Sequence, residues 1–300
     1  MGRSIPRRDV LRTLWAGGVA SLMCSRKAGA CAQGVTVGAH PWVYAAKQPG
    51  YDPTPVLDQI FREVGGAGVD GIELMHQVLL HEDGVKRVTE LSKRYSLPVI
   101  GTSWSAPMWD RERHAEILRE TRTLVPRLAQ VKGRTLGTSV GDARRRKTPQ
   151  ELDAQAELLR AVMKTCAGEG VVLNLHNHVY EVADHEYDLK CTLERIRDVK
   201  LGPDIGWLVR AKIDPVDFLR RHRGRVVFAH LRDEKADGTW PEAMGEGVVD
   251  YAAVGRALGE INFRGDLVIE IAHERDFQPT RSYGESIRIS REYVRRVIGY

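Results

Sequence analysis

From Gly34 onward the chain alternates short β-branched or aliphatic runs with helix-length amphipathic segments, and no Ser/Pro-rich linker or low-complexity stretch interrupts the rhythm. Strands that alternate with helices pair in parallel, because each helix carries the chain back to the starting edge of the sheet. The strand candidates are Val35 to Ala39, Gly71 to Met75, Pro98 to Ser103, Arg134 to Thr138, Val171 to His176, Val199 to Leu201, Arg225 to His230 and Asp266 to Glu270. They make eight, the number that closes a (β/α)8 TIM barrel. A chain of 300 residues could hold two average domains. Barrels of this type run to about 250 residues as one unit, and the unbroken rhythm predicts a single domain over 33–300.

The helices are punctuated. Thr148-Pro149-Gln150-Glu151 has the spacing in which a hydroxyl and a carboxylate satisfy each other's backbone donors, with proline at the first helical position. Leu152, Leu159, Val162, Met163 and Cys166 then recur at helical spacing until Gly168 and Gly170 end the helix. Asp214-Pro215 repeats the start signal before Val216 to Arg221.

Residues 1–32 read differently. A basic start containing Arg7-Arg8-Asp9-Val10-Leu11, an apolar stretch from Leu11 to Met23 and small residues at Ala28-Gly29-Ala30 resemble a twin-arginine export signal. Periplasmic or secreted localisation is the expectation, with cleavage after Ala30 or Ala32. The apolar stretch falls short of the roughly 20 residues that span a bilayer, so no stable membrane insertion is expected after cleavage. The segment also explains the formal charge of +5: it holds six Lys or Arg and one Asp, leaving 45 − 6 = 39 basic and 40 − 1 = 39 acidic residues. A neutral barrel with basic runs that lack interleaved aromatics argues against a nucleic-acid partner. Cys24 and Cys31 fall in the leader. Cys166 and Cys191 remain, both in predicted helices, which is no disulfide framework.

In such barrels the chemistry projects from the carboxyl ends of the strands. Four apolar runs in the second half close on a potential metal ligand: Asn174-Leu175-His176, Leu201-Gly202-Pro203-Asp204, Val227-Phe228-Ala229-His230 and Leu267-Val268-Ile269-Glu270. Two imidazoles and two carboxylates suit Mn, Fe, Co or Zn better than Ca, which takes oxygen ligands. One divalent ion is the natural cofactor, held by His176, Asp204, His230 and Glu270.

These residues, with His176-Asn177-His178, His230-Leu231-Arg232-Asp233, Asp204-Ile205-Gly206-Trp207 and Gly245-Glu246-Gly247-Val248-Val249-Asp250, resemble the xylose isomerase-like TIM-barrel superfamily. That superfamily includes sugar phosphate isomerases and epimerases, inosose dehydratases and endonuclease IV relatives. The resemblance implies one divalent metal, commonly Mn with Zn, Co or Fe as alternatives, held by side chains of the last four strands. It also exposes two departures. Ketose 3-epimerases of the superfamily carry a glutamate where His176 stands, paired in acid/base work with the last-strand glutamate, and a histidine where Trp207 stands.

The leading expectation is a metal-dependent isomerase or epimerase of a sugar or keto-sugar, acting through an enediolate. Glu270, His178 and His176 are the candidate proton-transfer groups. The rival expectation is a dehydratase or keto-glycoside lyase; a barrel that kept sugar binding and lost its chemistry is a further one. Expected substrate contacts are His40, His76, Trp104, Trp207, Arg232 and Glu246. Ser103 closes an early strand, Glu73 could orient a neighbour inside the barrel, and Arg232 and Asp233 are read as support beside His230. Trp42, Trp104, Trp109, Trp207 and Trp240 all follow predicted strands, where indoles can stack on sugar rings. The substrate and oligomeric state are open.

Overall fold

The computed structural model describes residues 34–274 and 276–300. The export-signal reading of 1–32 lies outside the described residues. Eight strands form one parallel sheet: β1 Val35–Ala39, β2 Gly71–Met75, β3 Val99–Ser105, β4 Thr135–Ser139, β5 Val172–Leu175, β6 Lys200–Leu201, β7 Phe228–Leu231 and β8 Gly265–Ile269. The order β6-β5-β4-β3-β2-β1-β8-β7 wraps the sheet round. Two bridges between the end strands' segments, Leu201 with Val226 and Asp204 with His230, close the remaining gap.

The predicted strands are all present, β1 and β2 with the expected bounds and the others with shifted ends. β7 starts at Phe228 rather than Arg225, and β6 is two residues long, because Pro203 leaves the ladder and Asp204 already caps the next helix. The Asp204 carboxylate accepts the Trp207 N–H at 3.0 Å, the usual service of an Asp at a helix start. The reciprocal cap predicted at Thr148 forms, with Glu151 N–H donating to Thr148 Oγ1 at 3.3 Å and Thr148 N–H to Glu151 Oε2 at 2.8 Å, opening the helix Pro149–Gly168. The helix Val179–Arg195 is interrupted by Asp184, His185 and Glu186, all left-handed. Bidentate pairing of Arg221 with Glu186 and the Arg146–Asp184 pair tie this interruption down.

The main core lies between sheet and helices, where Ile72, Leu74, Leu136, Leu267 and Ile269 meet apolar helix faces such as Ile60, Phe61, Leu124 and Leu159. A second cluster, Ile100, Phe228 and Val268, is separate from it. Side chains alternate along a strand, so His230 shares a face of β7 with Phe228, two places on, and their rings meet edge to face at 5.0 Å. The apolar cluster thereby supports the polar layer. Gly38 makes room for it, since a Cβ there would lie 2.5 Å from Ile100 Cδ1. Cys166 and Cys191 are free thiols. Among the described residues no helix is long and apolar enough to cross a membrane.

Candidate functional site

Strand register brings the polar ends together. His176 follows β5, Asp204 caps the helix after β6, His230 lies within β7 and Glu270 follows β8. One ring nitrogen from each histidine and one Asp204 oxygen all lie within 4.8 Å of one another. The two Nδ1 atoms face each other at 2.9 Å. Asp204 is fully buried, its backbone N–H donates to Asn177 Oδ1 at 3.1 Å, and its Oδ2 has no hydrogen-bond partner. Burying a carboxylate oxygen with no hydrogen bond and only the more distant Arg232 guanidinium, 3.4 Å away, is costly, and a cation bound there would offset it. The donor set of two imidazoles and a carboxylate fits a divalent transition metal.

Glu270 stands beside this trio rather than within it. Its Oε2 is 3.4 Å from His230 Nδ1, while its Oε1 is held by Arg232 Nη2 at 2.5 Å. Arg232 also reaches Asp204 Oδ2 with Nε at 3.4 Å. The guanidinium is buried, its carbon over the rings of Trp207 and Trp240 at 5.1 and 5.0 Å from their centroids.

Charge follows from these contacts. Burial pushes the Glu270 carboxyl up, but Arg232 and then His230 overcome it and hold it well below the usual carboxylate range. For Asp204 burial wins over Arg232, and its acid is raised. Burial lowers His230, yet Glu73 and Glu270 outweigh it and lift the imidazolium to about 9. His176 falls well below the ordinary value through burial and through its neighbours His230 and His178. His40 is lowered by burial in spite of Glu270.

A cavity of about 290 Å³ opens over the layer. His176, His178, His230 and Glu270 line one part; His40, His76, Ser103 and Trp104, from the first three strands, line another. None of its lining residues is Lys or Arg. His40 Nε2 meets Ser103 Oγ at 2.9 Å, and its Nδ1 lies 3.7 Å from Glu270 Oε1. Trp104 donates its indole N–H to Glu120 at 2.6 Å, which leaves the ring rather than the N–H for a ligand. His178 stacks on Tyr180 at 5.2 Å and crosses His176 edge to face at 4.8 Å.

The remaining expected contacts lie off the cavity lining. Trp207 and Arg232 stand behind the acidic residues, and Glu246 sits in the loop after β7, bonded to Arg281 and to the Ala243 N–H. Sequence reasoning missed Tyr51, stacked on Trp42 at 5.2 Å and on the cavity rim. It also missed Asn177 behind Asp204, and Glu181, which accepts the His178 N–H at 2.7 Å and a bond from Ser139 at 2.5 Å. The spacing His178-Val179-Tyr180-Glu181 is a helix-start pattern, and it was the available signal for Glu181.

Eight parallel strands ringed by helices, with a polar layer at their carboxyl ends, define a barrel-type enzyme scaffold. The chain belongs to the xylose isomerase-like TIM barrel family, whose description it matches over residues 61–293. A rhizopine catabolism protein, MocC, from Rhizobium meliloti is 27% identical over 252 residues, covering 71% of this chain and 74% of that one. An inosose dehydratase from Geobacillus kaustophilus is 22% identical over 173 residues, 51% of this chain and 55% of that one. Among solved structures, a D-allulose 3-epimerase from Methylomonas sp. superimposes with a TM-score of 0.71 at 14% identity, covering 88% of this chain and 98% of the other. A 3-keto-D-glucoside 4-epimerase from E. coli gives 0.64 at 17%, covering 87% and 99%. These structural likenesses concern the fold.

Proposed function

We propose that this chain is a divalent-metal-dependent isomerase or epimerase of an uncharged sugar or keto-sugar, working through an enediolate. The observation that carries the reading is the His176, Asp204 and His230 group set beside Glu270, with both histidines and Glu270 lining one cavity and Asp204 buried behind it. His176, Asp204 and His230 would hold the metal, with Glu270 as the fourth ligand or as the base. The ion, Mn by family habit, would supply Lewis acidity that makes a hydrogen next to a substrate carbonyl easier to remove.

The protein's own groups do the rest. Glu270, kept as carboxylate by Arg232, takes the proton; His178, on the cavity wall over β5, is the other group able to carry one. Return of that proton to the neighbouring carbon isomerises the substrate, and return to the opposite face epimerises it. His40 and Ser103 form a hydrogen-bonded pair for substrate hydroxyls, and Trp104 offers a ring face. A cavity wall without Lys or Arg disfavours a phosphate ester.

A dehydratase or keto-glycoside lyase is the second reading. It is favoured by His176 standing where ketose 3-epimerases carry the glutamate that pairs with the last-strand glutamate, here Glu270, and by the similarity to an inosose dehydratase. Elemental analysis of the purified protein, then incubation with keto-sugars and mass spectrometry, tests both. Isomerisation conserves mass and elimination releases water or an aglycone. Loss of metal and turnover in His230→Ala is expected. Full turnover by the metal-stripped protein would refute the proposal.

A further inference from the structure

Glu73 sits in the middle of β2, in Gly-Ile-Glu-Leu-Met, with no exposure at all. Its sequence neighbours Ile72 and Leu74 are core residues on the opposite face of the strand. A carboxylate there is a liability for folding, because burial strips its hydration and no Lys or Arg pairs with it among the described residues. Its partner comes from the far side of the sheet's order: Oε2 lies 2.5 Å from Nε2 of His230 on β7. The other oxygen, Oε1, has no hydrogen-bond partner. Gly137 on β4 leaves space for the carboxylate, as a Cβ there would come within 3.1 Å of Oε1.

His230 has two ring nitrogens, and the structure assigns them different work. Nε2 is taken by Glu73, and Nδ1 is turned to His176 and Glu270. A carboxylate can only accept at Nε2, so a proton is held there, and a cation that displaces the proton of the other nitrogen would meet the lone pair of Nδ1 facing the ligand group. We infer that Glu73 is a positioning residue, which reaches across the barrel interior to fix the ring orientation and tautomer of His230 for a divalent cation and to raise the donor strength of its Nδ1. This rests on the reading of His176, Asp204 and His230 as metal-holding. The principle is general: a histidine ligand is made effective by what its second nitrogen binds, and loss of that partner commonly weakens metal affinity 10- to 100-fold.

The test measures zinc(II) affinity by competition with a chromophoric chelator, on native protein, Glu73→Gln and Glu73→Ala, alongside melting of each metal-free form. Glu73→Gln keeps the shape and an acceptor oxygen while losing the charge, so it guards against a variant that fails to fold. The expected order of affinity is native, then Glu73→Gln, then Glu73→Ala, with the last about 10- to 100-fold weaker than native. In zinc-loaded native protein, nitrogen-15 shifts of His230 should show Nε2 protonated and Nδ1 without a proton. Equal zinc affinity in folded native and Glu73→Gln protein, with a change in melting alone, would make Glu73 merely structural and overturn the inference. So would a proton found on Nδ1. Native protein that takes up no zinc would overturn the metal reading together with it, whereas equal affinity leaves that reading standing and a proton on Nδ1 removes His230 from the ligand set.

Discussion

Glu270 owes its charge to a buried guanidinium 2.5 Å away, which holds its acid low in a place where burial alone would raise it. Replacing it with Gln removes the proposed proton acceptor and leaves the His176, Asp204 and His230 group in place. Steady-state kinetics of Glu270→Gln should show kcat lower by about 10²- to 10⁴-fold, the usual worth of a positioned base. A kcat within tenfold of native would move the base to His178. Asp233 illustrates the other use of a buried carboxylate. It accepts backbone N–H bonds from Glu234, Gly245, Gly247 and Val249 at 2.9, 2.8, 3.0 and 3.3 Å, and so shapes the loop after β7. Asp233→Ala strands those donors and should cost about 3 kcal/mol in urea denaturation, with proteolysis appearing between 234 and 249. At this scale the sequence was informative where a polar residue ends an apolar run, as at His176, Asp204, His230 and Glu270. It said little about Tyr51 or Asn177, whose partners come from residues distant in the chain or depend on how a loop returns.

The elements were legible because their signals are local. Strands showed as short aliphatic runs, and the helix Pro149–Gly168 announced itself through Thr148 and Glu151. That cap also carries a pH dependence. Hydrogen bonds from Arg145 and from the Thr148 N–H lower the Glu151 acid from 4.5 to about 2. A carboxyl depressed in the folded state stabilises fully above its unfolded value near 4.5, and the contribution is lost as pH falls towards 2. Melting measured from pH 5 to 2 should therefore decline more steeply for native protein than for Glu151→Gln, by a small amount because the group is exposed. A matching decline in both would remove the cap as cause. What stayed hidden at this scale were endings and interruptions. β6 shrank to two residues because Pro203 breaks its ladder, and the left-handed Asp184, His185 and Glu186 are held by Arg221 and Arg146 from other segments, a tertiary cause with no local signature.

For the whole molecule, barrel closure is what gathers four strand ends into one polar layer, and a cation held by three of them would bridge segments from residue 176 to residue 230. Binding to the folded state alone stabilises by about 2.7 kcal/mol when free metal is 100 times its Kd. Manganese or zinc should accordingly raise the melting temperature of the native protein and leave His230→Ala unmoved; an equal shift in the variant would place the cation elsewhere. The sequence by itself determined the alternation of strand and helix, hence the parallel barrel, and which strands end in groups able to bind metal, because periodicity and capping act over a few residues. Only the tertiary structure decided that Glu270 pairs with Arg232, that Glu73 meets His230 across the interior, and that Trp207, Arg232 and Glu246 lie off the cavity lining. Those outcomes depend on strand register and closure, which bring together atoms as distant in the chain as those of Glu73 and His230, 157 residues apart.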